Sequence, residues 1–158
     1  MTTTSAQAIQ VGQLAPDFTL TSTSGQPVTL SAYRGQQNVL LAFFPFAFST
    51  VCTAEFCEMR DTYDQFVAHE VTVHPISVDS LPALTEFKAK HSMQVDLLSD
   101  SRREVSAAYG TLIPERFIST RAYFLIDKTG VVRWAQVEPT AGSRRDNAEV
   151  LAEIAKLG

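Results

Sequence analysis

Cysteine is scarce in this 158-residue chain, which has only Cys52 and Cys57. A chain of this length buries about two thirds of its unfolded surface around its own core, and two thiols cannot staple it, so a disulfide scaffold is excluded. Basic excess is absent as well. Thirteen Lys and Arg against seventeen Asp and Glu leave a formal net charge of −4, which gives no electrostatic footprint for nucleic acid. Long apolar runs are also missing. The longest, Val39 to Phe48, contains Pro45 and falls short of the roughly 18 residues a spanning helix needs, so no membrane partner is expected. Met1 to Gln10 has neither a basic start nor an apolar stretch, and is not expected to be a secretory signal. With 45% hydrophobic residues, seven Gly and seven Pro, disordered and collagenous classes are excluded too. The expectation is one cytoplasmic globular domain over 1–158, with 1–11 as a loose polar lead-in and two thiols whose role is open.

Periodicity sets the expected elements. Asp17 to Thr21 and Pro27 to Leu30 alternate apolar and polar residues around Ser24-Gly25, predicting a small N-terminal hairpin. Tyr33-Arg34-Gly35 reads as a turn. Asn38 to Phe44 is continuously apolar after its first residue, as a central strand covered on both faces requires. From Thr50 to His69 the apolar residues recur at steps of three and four, predicting one helix. A strand over 71–79, a helix capped by Ser80 and running to about His91, a strand over 95–98 and a short helix over 103–109 follow. Ala122 to Asp127 and Val131 to Val137 flank Asp127-Lys-Thr-Gly130, a strong hairpin signal. A helix over 147–157 closes the chain. Strands alternating with helices, then a hairpin and a helix, predict an α/β domain with a mixed central sheet flanked by helices.

The two thiols fall five positions apart on one predicted helix. In an ideal helix that spacing leaves their Cα atoms about 8.6 Å apart, and a disulfide tolerates ~7 Å at most. A bond between them therefore requires the helix to unwind. A C-x-x-C couple is absent. A metal site is poorly supported, because the pair points to different helix faces and His69, His74 and His91 lie far off in sequence. Cys52 stands where strand gives way to helix, and the unsatisfied N–H groups and positive pole of a helix start favour a thiolate there. Ser49 and Thr50 supply capping hydroxyls, while Pro45 ends the strand. Cys57 sits a turn and a half deeper. The alternative, two thiols serving as small buried apolar side chains, stands beside this reading.

Phe44-Pro45-Phe46-Ala47-Phe48-Ser49-Thr50-Val51-Cys52 resembles the P-x-x-x-[TS]-x-x-C signature of peroxiredoxins. Ala15 to Leu20, Leu30 to Gly35, Leu98 to Asp100, Ala108 to Gly110 and Arg121 to Asp127 look like further segments of that family, in the family's order. The resemblance implies a thioredoxin-like fold and a thiol-dependent peroxidase acting on hydrogen peroxide and organic hydroperoxides. It implies that Cys52 is the peroxidatic nucleophile, that Ser49 and Arg121 bind the peroxide, and that Pro45 shields the thiolate. No metal or organic cofactor is implied. A cysteine five positions on resembles the peroxiredoxin Q (bacterioferritin comigratory protein) group. There Cys57 would resolve the Cys52 sulfenic acid as an intramolecular disulfide, reduced in turn by a thioredoxin- or glutaredoxin-like protein. Phe44 to Ser49 and Glu55 look closer to the AhpE-like one-cysteine branch, whose resolver is an external thiol. The subgroup is implied to be a monomer or weak homodimer.

The remaining residues carry plainer expectations. Arg121 could be a surface cation at a strand edge, and Arg116 is a weaker claimant for the same role. Glu55, one turn past Cys52, could orient Arg121 or lie on a solvated face. Phe43, Phe44, Phe46, Phe48 and Phe56 are expected to build the core and pocket wall, with Phe44 at the substrate. Trp134 reads as sheet packing or surface patch, Arg144-Arg145 as a solvated loop, and the histidines receive no role. Two other function classes compete. A general thiol–disulfide oxidoreductase would share the fold, and insulin reduction would reveal it. A non-catalytic interaction protein would have little reason to keep Pro45, Ser49, Cys52 and Arg121 together.

Overall fold

The computed structural model describes residues 9–48, 50–113, 115–138 and 147–157, without the side chains of residues 50–53, 55 and 147. Ser49 and the Arg144-Arg145 pair therefore lie outside the described residues.

Five strands form the central sheet in the order β5-β4-β3-β8-β9. Strand β3 (Asn38–Phe43) pairs in parallel with β4 (Val71–Ser77), which pairs in parallel with the two-residue β5 (Leu98–Ser99). On its other side β3 runs antiparallel to β8 (Ala122–Ile126), and β8 to β9 (Val132–Val137). The continuous apolar run of β3 now has its cause. Leu40 and Ala42 face a cluster with Phe56, Phe66, Leu84, Phe87 and Ile154, while Val39, Leu41 and Phe43 face one with Ile76, Tyr109 and Phe124. Both faces are covered by helices or the N-terminal segment, so alternation has no polar side to occupy.

The hairpin β1 (Thr19–Thr21) with β2 (Pro27–Thr29) forms its own two-stranded sheet, as expected, and is joined to the central sheet by a bridge between Ser22 and Leu98 of β5. The expected turn at Tyr33 is preceded by a 3-10 turn over Leu30–Tyr33. Gly130 closes the β8–β9 turn at φ +88°, where an added Cβ would meet the Arg34 side chain at 2.6 Å. Asp127 accepts N–H bonds from Thr129 and Val131 in that turn, and its carboxyl lies at about 2: burial pushes it up, and the hydrogen bonds from Thr129, Arg133 and Val131 outweigh this.

Three expectations need correction. The helix over 50–69 is two: α1 (Thr50–Asp61) and α2 (Tyr63–Ala68), broken at Thr62. Thr62 turns its hydroxyl back onto the Glu58 carbonyl, a side-chain bond that bends helices. The strand over 95–98 shrinks to Leu98–Ser99. The carbonyl of Asp96, the second residue of the expected strand, is taken by His74 Nδ1. A small antiparallel pair, β6 (Leu112–Ile113) with β7 (Ile118–Ser119), was not foreseen. The helices α3 (Leu81–Lys90), α4 (Glu104–Ala108) and α5 (Asn147–Ala155) lie within their expected spans, and Ser80 caps α3 by accepting the Ala83 N–H.

His74, given no role by the sequence, is buried on β4. A carbonyl can only accept, so Nδ1–H donates to Asp96 O at 3.1 Å and Nε2 accepts the Tyr33 hydroxyl at 2.8 Å. Burial holds its pKa below the ordinary value, although the Asp96 backbone and charge pull the other way. A base depressed in the folded state binds protons more readily when unfolded. Stability from this group is therefore full above pH ~6.5 and falls as pH drops from there toward the folded pKa, by up to ~1.4 kcal/mol per pH unit. Denaturant titrations at pH 7.5 and 5.5 should show this loss in the wild type and a smaller one in His74→Gln.

Candidate active site

The parallel pair β3–β4 ends at Phe43 and Ser77, so both carboxyl ends open on the same edge of the sheet. In open α/β sheets this is where chemistry is placed. Phe44 N–H still reaches Ile76 O at 2.9 Å, and then buried Pro45, which has no N–H, takes the chain out of the ladder. Helix α1 begins at Thr50, so Cys52 is its third residue and belongs to the first turn, where backbone N–H groups have no partner inside the helix. The antiparallel register of β3 with β8 pairs Phe43 with Ala122, which brings Arg121, one residue earlier, level with Phe44 at this same edge.

Arg121 is 1% exposed, which excludes the surface-cation alternative. Its carbonyl accepts the N–H of Glu138, itself 2% exposed. Arg116 is exposed. The strand register thus brings Phe44 and Arg121 together at the end of β3, with Pro45 next in the chain and Cys52 in the helix that follows. Ser49 and the side chain of Glu55 lie outside the described residues.

Aromatic packing holds the segment in place. Phe44 meets Phe56 edge-on at 4.8 Å, and Phe87 of α3 touches Phe44, Phe48 and Phe56 at 6.4, 5.1 and 6.3 Å between centroids. Phe43, Phe44 and Phe56 are fully buried as expected. Phe46 and Phe48 are not core residues: they are 40% and 49% exposed, because the chain beyond Pro45 has left the sheet, and the Phe48 ring meets the core only at the edge of Phe87. Trp134 stacks on Tyr123 and packs against the core, which settles it as sheet packing.

Cys57 lies in the same helix as Cys52, is free and half-buried, and has Sγ 3.9 Å from His91 Nδ1. Residues 52 and 57 lie on one continuous helix, whose backbone spacing of ~8.6 Å between their Cα atoms exceeds what a disulfide spans. Two neighbours escaped the sequence reading. His91 is 34 positions from Cys57, and no spacing links them. The Asp79 carboxylate accepts the Ala47 N–H at 2.8 Å. The sequence signal for it was Ser77-x-Asp79 at the end of β4, the strand parallel to β3, which leads into the cysteine-bearing helix. Among the described residues no group of three or more His, Cys, Asp or Glu could hold a metal ion, and no helix is long and apolar enough to cross a membrane.

These features define a thiol site at the edge of a thioredoxin-like sheet, and comparison with known proteins gives the family. The AhpC/TSA family profile matches residues 11–135, and the chain belongs to that family, the peroxiredoxins. Alkyl hydroperoxide reductase E of Mycobacterium bovis is 37% identical over 132 residues, covering 82% of this chain and 86% of the relative. A putative peroxiredoxin, bcp, of Coxiella burnetii is 35% identical over 139 residues, covering 83% and 91%. The reduced 2-Cys peroxiredoxin of Plasmodium vivax superposes with TM-score 0.85 at 30% identity, over 93% of this chain and 81% of that one. The peroxidoxin BcpB structure from Mycobacterium tuberculosis gives 0.84 at 26%, over 95% and 99%. The thioredoxin-like fold expected from the sequence is the fold observed.

Proposed function

We propose that this peroxiredoxin reduces hydrogen peroxide and small organic hydroperoxides through Cys52. What supports the reading is the family match together with two features of the fold: Cys52 lies in the first turn of α1, the helix that follows β3, and Arg121 is buried and level with Phe44 at the end of β3. The unpartnered N–H groups of that turn and a guanidinium both favour a thiolate. The thiolate attacks one peroxide oxygen and the O–O bond breaks. Sulfur is oxidised to sulfenic acid, and the departing oxygen leaves as water or alcohol after taking a proton. Arg121 and Ser49 hold the peroxide, donors of this kind being able to steady charge on the leaving oxygen. Pro45 and Phe44 wall the site from water, and Glu55 orients Arg121.

Cys57 is the resolving thiol. It attacks the Cys52 sulfenic sulfur, the S–S bond forms and water is released. The first turns of α1 unwind for this step. Buried Phe56 holds the helix at Cys57, so residues 50–53 are the part that moves. A thioredoxin- or glutaredoxin-like dithiol then reduces the disulfide. The protein works in the cytoplasm as a monomer or weak homodimer.

Mass spectrometry after one equivalent of peroxide tests the resolving step. The expected product is an intrachain Cys52–Cys57 disulfide, two hydrogens lighter than the reduced chain. Accumulation of sulfenic acid at Cys52 with Cys57 still alkylatable assigns the chain to the one-cysteine route and an external resolver.

A further inference from the structure

We infer that Asp79 is a positioning residue for the reaction of Cys52, acting through the loop that delivers the chain into α1. The inference rests on Cys52 being the reactive thiol. After the Phe44–Ile76 bond the loop of residues 45–48 has left the sheet. Pro45 has no N–H to give, Phe46 and Phe48 are 40% and 49% exposed, with buried Ala47 and the edge contact of Phe48 on Phe87 as the loop's apolar anchors, and Phe48 sits at φ 68°, a left-handed conformation that a bulky side chain adopts only when its surroundings impose it. Among the described residues, the hydrogen bond tying this loop's backbone to the rest of the fold is Ala47 N–H to Asp79 Oδ2, at 2.8 Å. An N–H bond to a carboxylate is roughly twice as strong as a neutral one.

Asp79 is itself fixed from several sides. Oδ2 also accepts the Ser77 hydroxyl at 2.6 Å, its N–H donates to Ser77 Oγ at 3.1 Å, and its carbonyl accepts the Ser99 hydroxyl at 2.6 Å. Ser77 ends β4, and its carbonyl accepts the Asp100 N–H at 2.7 Å, joining the ends of β4 and β5. One carboxylate thus transfers the rigidity of two strand ends to a loop atom five residues before Cys52. Where α1 starts, and so where its free N–H groups point, follows from that anchor.

A second negative charge near this edge would by itself oppose a thiolate. Asp79 therefore acts as an acceptor, through geometry. That separates two substitutions: Asp79→Asn keeps an acceptor oxygen without the charge, and Asp79→Ala removes both.

The test compares wild type, Asp79→Asn and Asp79→Ala by stopped-flow reaction with hydrogen peroxide. It adds peptide-resolved iodoacetamide alkylation of Cys52 and Cys57 across pH, with thermal melts giving the folded fraction. Misplacement of a reacting group by an ångström costs up to about 10²-fold. Asp79→Ala should therefore slow peroxide reaction by at least ~10-fold and move the Cys52 alkylation midpoint to higher pH, while Cys57 alkylation stays as in wild type. Asp79→Asn should stay within about threefold of wild type. Three outcomes overturn the inference: an Ala variant within twofold of wild type, Asn and Ala variants equally impaired, or a rate loss that vanishes once divided by the folded fraction. A wild type that does not consume peroxide defeats the peroxidase reading instead. The alkylation of Cys52 still reads the effect of Asp79 in that case.

Discussion

Cys52→Ser is expected to abolish peroxide consumption, with the second-order rate falling at least ~10³-fold to the level of the uncatalysed reaction. The substitution is small in volume and keeps a hydrogen-bonding group in the first turn of α1, so the fold has little reason to change. What disappears is the nucleophile. A serine hydroxyl stays protonated at neutral pH even where a helix start favours an anion, and oxygen attacks a peroxide oxygen far less readily than sulfur does. Coupled NADPH consumption with a thioredoxin system, or direct loss of peroxide, measures this. Activity retained in Cys52→Ser means that another residue carries the chemistry.

Arg121→Gln should lower the peroxide reaction by about 10²-fold, the scale on which single preorganised donors act in transition states. At 1% exposure the guanidinium is shielded from solvent, so its charge is screened little by water, and bulk salt should change its effect only weakly. Arg121→Lys keeps the charge but replaces a planar fork of donors by a point charge, and should recover only part of the rate. The split between the two variants is informative. A full recovery by Lys would make charge alone responsible, whereas partial recovery assigns part of the effect to bidentate geometry. A Gln variant as fast as wild type removes Arg121 from the site.

Much of this architecture was legible in the residues, for definable reasons. The apolar run Asn38 to Phe44 has no polar alternation because β3 is buried on both faces, so its central position could be read directly. The Asp127–Gly130 turn announced β8 and β9 through side-chain and φ requirements that few residues meet. What failed to show was decided by tertiary contacts. The break at Thr62 depends on a hydroxyl choosing a backbone carbonyl over solvent, and threonine does both in helices. The exposure of Phe46 and Phe48 reverses their hydrophobicity, because the loop has left the sheet before its aromatic rings can be buried.

The site divides in the same way. Cys52, Pro45 and Arg121 were proposed from a local signature and a strand boundary; the β3–β8 register sets Arg121 level with Phe44, and Pro45 and α1 follow in the chain. The partners of the second layer were not. Asp79 meets Ala47 across 32 positions, and His91 meets Cys57 across 34, and in neither case does periodicity within one element connect the pair. Such contacts arise from how α1, β4 and α3 are laid against one another, and composition carries no trace of that.

Cys52 is expected to be ionised near neutral pH because it stands in the first turn of the helix after β3, at whose end the buried Arg121 lies. Ultraviolet titration of thiolate absorbance in the Cys57→Ser chain, which leaves Cys52 as its single thiol, measures this directly. The expected midpoint lies below pH ~7, well under the ~8.5 of a free cysteine, and moves back toward that value in the Arg121→Gln background. A midpoint at or above ~8.5 in the folded protein would contradict the account.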